Sequence, residues 1–571
     1  MRANRPGAAA PCWPRAARLA RVPRSLRRAG AGGAGGAGGV AGVAGVAGTA
    51  GVAGVAGVAG WRGWRGLRGV VLPVLLIALW WQASHRQWMS PQILPTPGQV
   101  WMTARELAAD NLVSQLAISL WRLAAGFAAG VLGGVLLGTL TGRSRRADEI
   151  VSPLFYAFAQ IPTLAWLPLL MVVLGIGEAL KIALIFKAVL VPVAIHTQLG
   201  VRSVPPRLRE IAAVSRLPRG ATLRLLIAPA ALPPVLTGLR IALAQGWLTL
   251  IAAELLASSE GIGYLMVWGR QMFQLDIVFV CIAVIGITGF AIDDGLRRLD
   301  ARVVRWPRPA FAEHARRPAC GWTARANGAV LPVALVVLWS VAAQRHWIDA
   351  RLLPAPSVVL ANAWTDLRSG ALPVPLARTL LRAFEGLVTG AAAGTALGIG
   401  LGLSRPLRDV AGPTLAALRQ VAIFAWIPLL TAWAGIGALS KVIFVALAAC
   451  FPMLVAAAHA VENLSPQLIE AARTLRLPAA ARMRRLVLPA IAPGLFAGLR
   501  LALVYAWLGA IGAEYFMPSD IGIGSFMLDA QQVFRMDRLL SAAVAVGALG
   551  AALGWLGGRL EAAATRWRGP V

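Results

Sequence analysis

Residues 205–240 read PPRLREIAAVSRLPRGATLRLLIAPAALPPVLTGLR, and residues 465–500 read SPQLIEAARTLRLPAAARMRRLVLPAIAPGLFAGLR. The two stretches align without a gap, Glu210 on Glu470, Pro218 on Pro478, Pro229 on Pro489 and Leu239-Arg240 on Leu499-Arg500. Each opens with a helix-start signal, Pro206 in one and Ser465-Pro466 in the other, because a proline at the first helical position gives up no intrahelical bond. The pattern predicts a short helix carrying an acid (Glu210, Glu470) and small residues (Ala212 and Ala213, Ala471 and Ala472). It should end at Pro218 or Pro478, whose rings withhold an N–H. A basic turn follows, with Arg219 and Arg224 in the first copy and Arg482, Arg484 and Arg485 in the second, and then an apolar span. Such a helix at a membrane face is suited to docking on a partner protein.

At 58% hydrophobic and 14% charged residues, with a mean hydropathy of +0.68, the chain is too apolar for a soluble globular protein and reads as polytopic. The net charge of +31 does not point to nucleic acid, since the arginines sit in short loops between apolar runs, where the positive-inside rule puts them. Cys12, Cys281, Cys320 and Cys450 fall singly, so neither a disulfide framework nor a metal site is expected. Residues 1–60 are Arg-rich and then Gly, Ala and Val with glycine at every third position. Lacking proline in that run, they read as a disordered low-complexity leader rather than a collagen-like segment.

Apolar runs long enough to cross a hydrocarbon core, which needs about 20 helical residues, lie near 67–84, 118–141, 152–174, 179–200, 232–257 and 276–296. They recur near 326–344, 379–403, 411–434, 438–460, 492–514 and 538–557. The expected fold is an all-α polytopic membrane protein of about twelve transmembrane helices in two parallel six-helix repeats. The expected modules are 61–310 and 326–571, joined by a linker at 311–325. The repeat extends well beyond the opening stretch. Leu94-Pro95-Thr96-Pro97 matches Leu353-Pro354-Ala355-Pro356, Ala165-Trp166-Leu167-Pro168-Leu169-Leu170 matches Ala425-Trp426-Ile427-Pro428-Leu429-Leu430, and Trp306 matches Trp567. Arg143, Arg145 and Arg146, Arg405 and Arg408, and both opening stretches fall on one side, which is assigned to the cytoplasm together with both termini.

The matched motifs resemble those of type I ABC importer permeases. They are the Glu-Ala-Ala loop, the Ala165-Trp166…Gly175-Ile176-Gly177…Lys181 stretch with its copy ending at Lys441, and Ala253-Glu254…Gly261-Ile262-Gly263 with its copy Ala513-Glu514…Gly522-Ile523-Gly524. The similarity is to the branch serving nitrate, sulfonates, taurine, bicarbonate and thiamine-precursor pyrimidines, with two permease modules fused. It covers nearly all of residues 65–568. It implies an ABC type-1 permease fold in a bacterial inner membrane, with each opening stretch forming a coupling helix in a cleft of a separate ATP-hydrolysing subunit. Two such subunits would bind ATP, this chain would hold no cofactor, and a periplasmic or lipid-anchored binding protein would deliver substrate. The sequence departs from the family where the usual glycine, six residues after the acid, is Arg216 or Arg476; the turn is then expected to rely on Pro218 and Pro478. The first copy also reads Glu210-Ile211-Ala212 in place of Glu-Ala-Ala.

No phosphate-cradling GxxxxGK[ST] loop, GxSxG elbow or HExxH helix occurs, so no catalytic or metal-ligating residue is assigned. Charges inside spans cost roughly 2.5–3.5 kcal/mol each on insertion scales and ask for a reason. Arg240 and Arg500 occupy equivalent positions in the fifth spans; a pore-lining pair would attract an anion, while anchoring or pairing with an acid is the commoner role. Glu254 and Glu514, further along the same spans, suit gating or helix pairing. Lys181 and Lys441 open the fourth spans and are expected to snorkel outward. Lys187 is deeper and has no match in the second half. Trp166 and Trp426 could line the cavity or pack, and Pro168 and Pro428 are expected to bend the third spans. Two other classes stay open, an ion-coupled secondary transporter and a non-transporting membrane scaffold.

Overall fold

A computed structural model describes residues 65–304, 322–347, 349 and 352–566. The expected leader, most of the linker, and Trp306 and Trp567 lie outside the described residues. Leaving aside single turns at Arg219–Ala221 and Ala479–Arg482, the helices fall into two sets of ten in the same order. The first comprises α1 (Arg65–His85), α2 (Pro97–Asp110), α3 (Leu112–Arg143), α4 (Arg145–Gln160), α5 (Leu167–Leu174), α6 (Glu178–Arg202), α7 (Pro206–Val214), α8 (Ala228–Ala257), α9 (Ile262–Gln271) and α10 (Leu275–Val303). The second comprises α11 (Trp322–Gln344), α12 (Pro356–Arg368), α13 (Pro373–Leu403), α14 (Arg405–Gln420), α15 (Ile427–Ala434), α16 (Ala438–Glu462), α17 (Pro466–Thr474), α18 (Leu488–Phe516), α19 (Ile523–Gln532) and α20 (Met536–Ala564). No strand occurs among the described residues.

Among those residues nine helices are long and apolar enough to cross a membrane, or eleven if the bent pairs α4–α5 and α14–α15 each count as one span. The remaining expected span, α1, has 21 residues and so reaches about 32 Å. Arg68 at one end and Gln82, Ser84 and His85 at the other dilute its hydropathy, and it is not among the nine. The fifth spans begin earlier than expected. A π-helical turn, Thr222–Ile227 in one half and Met483–Val487 in the other, carries α8 and α18 back without interruption toward the basic loops.

The third spans correct the expectation about their prolines. Each is broken, by 90° in the first half and 94° in the second, but at residues 161–162 and 421–422. Pro168 and Pro428 instead sit in the first turn of α5 and α15, where the missing N–H costs nothing. Pro162 helps hold Ile161 extended, yet the second half makes the same bend with Ala422. Packing is the shared cause. A Cβ on Gly547 would lie 2.8 Å from Ile161 Cγ1, and one on Gly286 3.0 Å from Val421 Cγ2, so each break wedges against the last span of the other half.

Two further contacts join the framework. On α3, Gly126, Gly130, Gly134, Gly138 and Gly142 recur every fourth residue and abut Ile185, Val189, Val193, Ala194 and Val201 of α6. Gly386 to Gly402 repeat the spacing on α13 against α16, and a Cβ on Gly390 would come 2.1 Å from the Ala446 carbonyl oxygen. Small residues at this period let backbones close on one another where lipid supplies no hydrophobic drive between helices. The first helices cross over to the other half. Gly69 of α1 meets Pro413 of α14, Gly328 of α11 meets Pro153 of α4, and Asn327 donates to Glu149 at 3.0 Å.

Candidate functional site: coupling loops and buried charge clusters

At the basic end, α7 and α17 form as expected. Each ends in a turn that the sequence placed on its proline, whereas the structure closes it with a left-handed residue. Arg216 has φ 48° and Arg476 φ 47°. The Leu217 N–H donates to the Ala212 carbonyl at 3.0 Å and the Arg216 N–H to Ala213 at 3.1 Å, the two bonds of a Schellman cap. Leu477 donates likewise to Ala472 at 3.1 Å. The arginines thus occupy the conformation that glycine adopts without strain, and Pro218 and Pro478 merely follow it.

The same helices separate an inward from an outward face. Ala212 and Ala472 are buried against the body of the protein, which explains the small residue common to both copies. Glu210, Ala213, Arg216, Pro218, Glu470, Arg476 and Pro478 are exposed, and Ala471 lies within α17. The divergent Ile211 is 60% exposed, so it adds apolar area to the outward face and leaves the fold of the loop intact. Beneath α7 is a cleft of about 300 Å³ lined by Gly142, Arg143, Ala212, Leu217 and Ile227 among others.

At the opposite end, each half encloses a charged cluster. Glu254 on α8 is 1% exposed and accepts from Ser119 Oγ at 2.8 Å, Arg122 Nη1 at 2.8 Å and the Gly263 N–H at 3.1 Å. Arg122 also grips Glu178 at 2.6 and 2.7 Å and the Glu260 carbonyl at 2.8 Å. Ser119 accepts the Ile262 N–H at 3.0 Å. In the second half Glu514, at 0% exposure, accepts from Thr379, Arg382 and the Gly524 N–H at 2.8, 2.8 and 2.9 Å. Asp520 stands in for Glu178, 3.5 Å from Arg382. The duplicated Gly-Ile-Gly is therefore a carboxylate clasp. Its second glycine donates the N–H, and a Cβ on its first would fall 2.4 Å (Gly261) or 2.2 Å (Gly522) from a carboxylate oxygen or carbon.

The clusters reassign several side chains. Lys181 and Lys441 do not snorkel; both are buried, paired with Glu178 at 2.8 Å and Asp520 at 3.2 Å. Sequence reasoning missed Ser119, Arg122, Thr379 and Arg382. Their signal was a matched hydroxyl-x-x-Arg, Ser119-Leu120-Trp121-Arg122 against Thr379-Leu380-Leu381-Arg382, set in apolar runs.

Between the ends, Arg240 pairs with Asp293 of α10 at 2.7 and 2.9 Å, and Arg500 with Glu561 of α20 at 3.3 Å. Lys187 donates to the Ile161 carbonyl at the α4 break at 2.6 Å, with its ammonium over the rings of Phe158 and Trp166 at 5.4 and 5.8 Å. Trp166 and Trp426 are half-buried, and their indole N–H groups have no acceptor among the described residues. Among the described residues no group of three or more His, Cys, Asp or Glu gathers as metal ligands would.

Comparison with known proteins gives this architecture a family. Over 238 residues the chain is 37% identical to the taurine transport system permease protein TauC of Escherichia coli (strain K12), covering 41% of this chain and 86% of the relative. It is 35% identical to the putative aliphatic sulfonates transport permease protein SsuC of Bacillus subtilis (strain 168), covering 42% and 86%. It is 33% identical to the nitrate import permease protein NrtB of Synechocystis, covering 33% and 69%. Each such match takes up less than half of the chain. The family described as binding-protein-dependent transport system inner membrane component matches residues 130–305 and again 386–566. With one such domain in each structural half, the chain belongs to that family of ABC importer permeases and carries two of its modules in a single polypeptide.

Proposed function

We propose that the chain imports a small anionic solute of the sulfonate, taurine or nitrate class by alternating access, driven by two copies of a separate ATPase docked on α7 and α17. The carrying observation is the pair of Schellman-capped helices at the basic end, each presenting an exposed acid and exposed apolar side chains. Those side chains are Leu208, Ile211 and Val214 on α7 and Leu468 beside Glu470 on α17, with Leu475 in its cap. A helix whose inner face is fixed by one buried alanine and whose outer face is open transmits force as a rigid peg. ATP-driven closure of the ATPase pair would draw the two pegs together and rock the halves. The continuous helix from each π turn into α8 and α18 supplies a lever from peg to pathway. On this reading the basic end and both termini face the cytoplasm, modules 61–310 and 326–571 are joined by the 311–325 linker, and a periplasmic or lipid-anchored binding protein feeds the opposite end.

The test is Glu210→Arg with Glu470→Arg in the full chain, co-expressed with its ATPase. Loss of ATPase co-purification and of uptake, with membrane levels unchanged, is the expected outcome. Undiminished association and uptake would remove α7 and α17 from the coupling role, and uptake that follows an ion gradient without any ATPase would replace the importer reading with a secondary transporter.

A further inference from the structure

Two indole N–H groups are left alone in the interior at matched positions of the repeat. Trp247 on α8 and Trp507 on α18 are 4% and 2% exposed, and their Nε1 atoms have no acceptor among the described residues. Trp166 and Trp426 share that lack but are half-buried. Trp247 and Trp507 therefore bear nearly the full desolvation cost of an unmade bond. Both halves bear it, which calls for a reason common to the two.

An acceptor stands close to each indole, and it belongs to the other half. From the place that a Cβ on Gly289 of α10 would take, Trp247 Nε1 is 3.2 Å away and the Gln420 carbonyl oxygen 3.0 Å. At the opposite interface a Cβ on Gly550 of α20 would stand 3.3 Å from Trp507 Nε1 and 3.7 Å from the Gln160 carbonyl oxygen. Gln160 and Gln420 are the last residues of α4 and α14. The third spans break just beyond them, so these carbonyls lose the following helical turn that would donate to them. A side chain at 289 or 550 would fill the space beside both donor and acceptor, and glycine keeps it open. The outer ends of the halves are meanwhile in contact. Gln531 of α19 donates to Met171 of α5 at 3.6 Å, and Trp433 of α15 to the Ile93 carbonyl at 3.2 Å. The arrangement is closed on the side away from the basic loops.

We infer that Trp247 with Gln420, and Trp507 with Gln160, are paired latches of the transport cycle, a device that rests on the alternating access proposed above. The Nε1–H···O=C bonds are open in the arrangement seen here and close when ATP rocks the halves into the other one. Each latch links α8 or α18, which runs on from its π turn toward the basic loop, to the broken third span of the opposite module. Movement of α7 and α17 is thereby felt at the latch. A bond made in only one of two states shifts the balance toward that state by its own free energy. Rocking about an axis between the halves moves both interfaces alike, which is why the arrangement is duplicated.

The experiment uses the full chain with its ATPase in lipid nanodiscs, with 15N-labelled tryptophan and spin labels at the basic ends of α6 and α16. Nucleotide-free protein is compared with protein trapped by ATP and vanadate. The two indole signals are identified as those lost in Trp247→Phe and Trp507→Phe. Both are expected to move downfield on trapping, as an indole nitrogen does when its N–H becomes bonded, while the spin labels draw together. Replacing either tryptophan by 3-benzothienylalanine keeps the bicyclic ring and puts sulfur in place of the N–H. It should shift the ratio of trapped to open protein about three- to tenfold toward open, the worth of one neutral hydrogen bond, without lowering the unfolding temperature of the nucleotide-free protein. An unaltered ratio overturns the latch, and so does an indole signal that stays put while the labels approach. Labels that do not approach in the wild type remove alternating access itself, and the latch with it.

Discussion

Arg122→Ala is expected to destabilise the first half by about 3–5 kcal/mol, the cost of removing one partner from a buried ion pair and stranding the other. The structure places the value toward the upper end. The guanidinium donates at 2.6 and 2.7 Å to Glu178, at 2.8 Å to Glu254 and at 2.8 Å to the Glu260 carbonyl, and Glu254 keeps only the neutral donors Ser119 and Gly263 once it is gone. Arg382→Ala should cost less, about 3 kcal/mol, because Arg382 has one close bond to Glu514 and stands 3.5 Å from Asp520. Arg122→Met with Glu254→Gln should recover most of the loss, since a neutral amide can still meet Ser119 and the Gly263 N–H, and a buried pair replaced as a unit is close to neutral. The measurement is thermal unfolding of the full chain in detergent, joined to amide hydrogen exchange at Ile262 and Gly263. The N–H of Ile262 donates to Ser119 and that of Gly263 to Glu254. A loss of about 3 kcal/mol corresponds to exchange faster by about a hundredfold at those two amides if opening of α9 is what the cluster resists. A single-variant cost below about 0.5 kcal/mol, or no recovery in the double variant, would refute the claim that the carboxylate is desolvated and clasped.

Two other outcomes test the loops. Arg216→Gly and Arg476→Gly should each stabilise their turn by about 1 kcal/mol, because a non-glycine residue held left-handed costs roughly that much, read as slower hydrogen exchange at Leu217 and Leu477; faster exchange in either variant would contradict the cap. Asp148→Arg combined with Arg202→Glu should behave as wild type in thermal unfolding, since the second half already carries the reversed pair Arg408–Glu462 at 2.9 Å where the first has Asp148–Arg202 at 2.6 Å, while Asp148→Arg alone loses up to about 1 kcal/mol.

Much of the framework was legible because two copies constrain each other. Apolar period and length located the spans, and the matched Glu210 and Glu470 located the short helices α7 and α17 of the basic loops without any coordinate. The Gly-Ile-Gly pair was visible as a motif, but its reason was not, since Glu254 and Gly263 are close in sequence while Ser119 and Arg122 lie more than a hundred residues away. Lys181 and Lys441 were misread for the same cause. A lysine at a helix end snorkels unless an acid waits for it, and in the second half that acid, Asp520, comes from a loop 79 residues on. The bend of the third span escaped because the sequence offered Pro168 as an obvious culprit, whereas the break at Val421 has no proline and follows from packing on Gly286 of the other half. Left-handed backbone at Arg216 was hidden by a residue type that does not advertise it.

The location of the differences between the halves argues for what fusion permits. Where the modules must do the same job, the residues agree or exchange in a compensated way: the caps at Arg216 and Arg476 share one geometry, the clasps at Glu254 and Glu514 share one set of donors, and the Asp148–Arg202 pair is reversed without being lost. Where the modules face each other, residue type changes outright, with Arg419 against Ala159 and Lys187 against Leu447, while the loss of Asp293 to Gly554 is met by Glu561, which pairs with Arg500. A dimer of identical permeases must place every mid-membrane charge twice, doubling the insertion cost and fixing an even charge around the axis. Two unlike modules in one chain can place a polar side chain on one side of that axis alone, at half the insertion cost that a dimer of identical modules would bear.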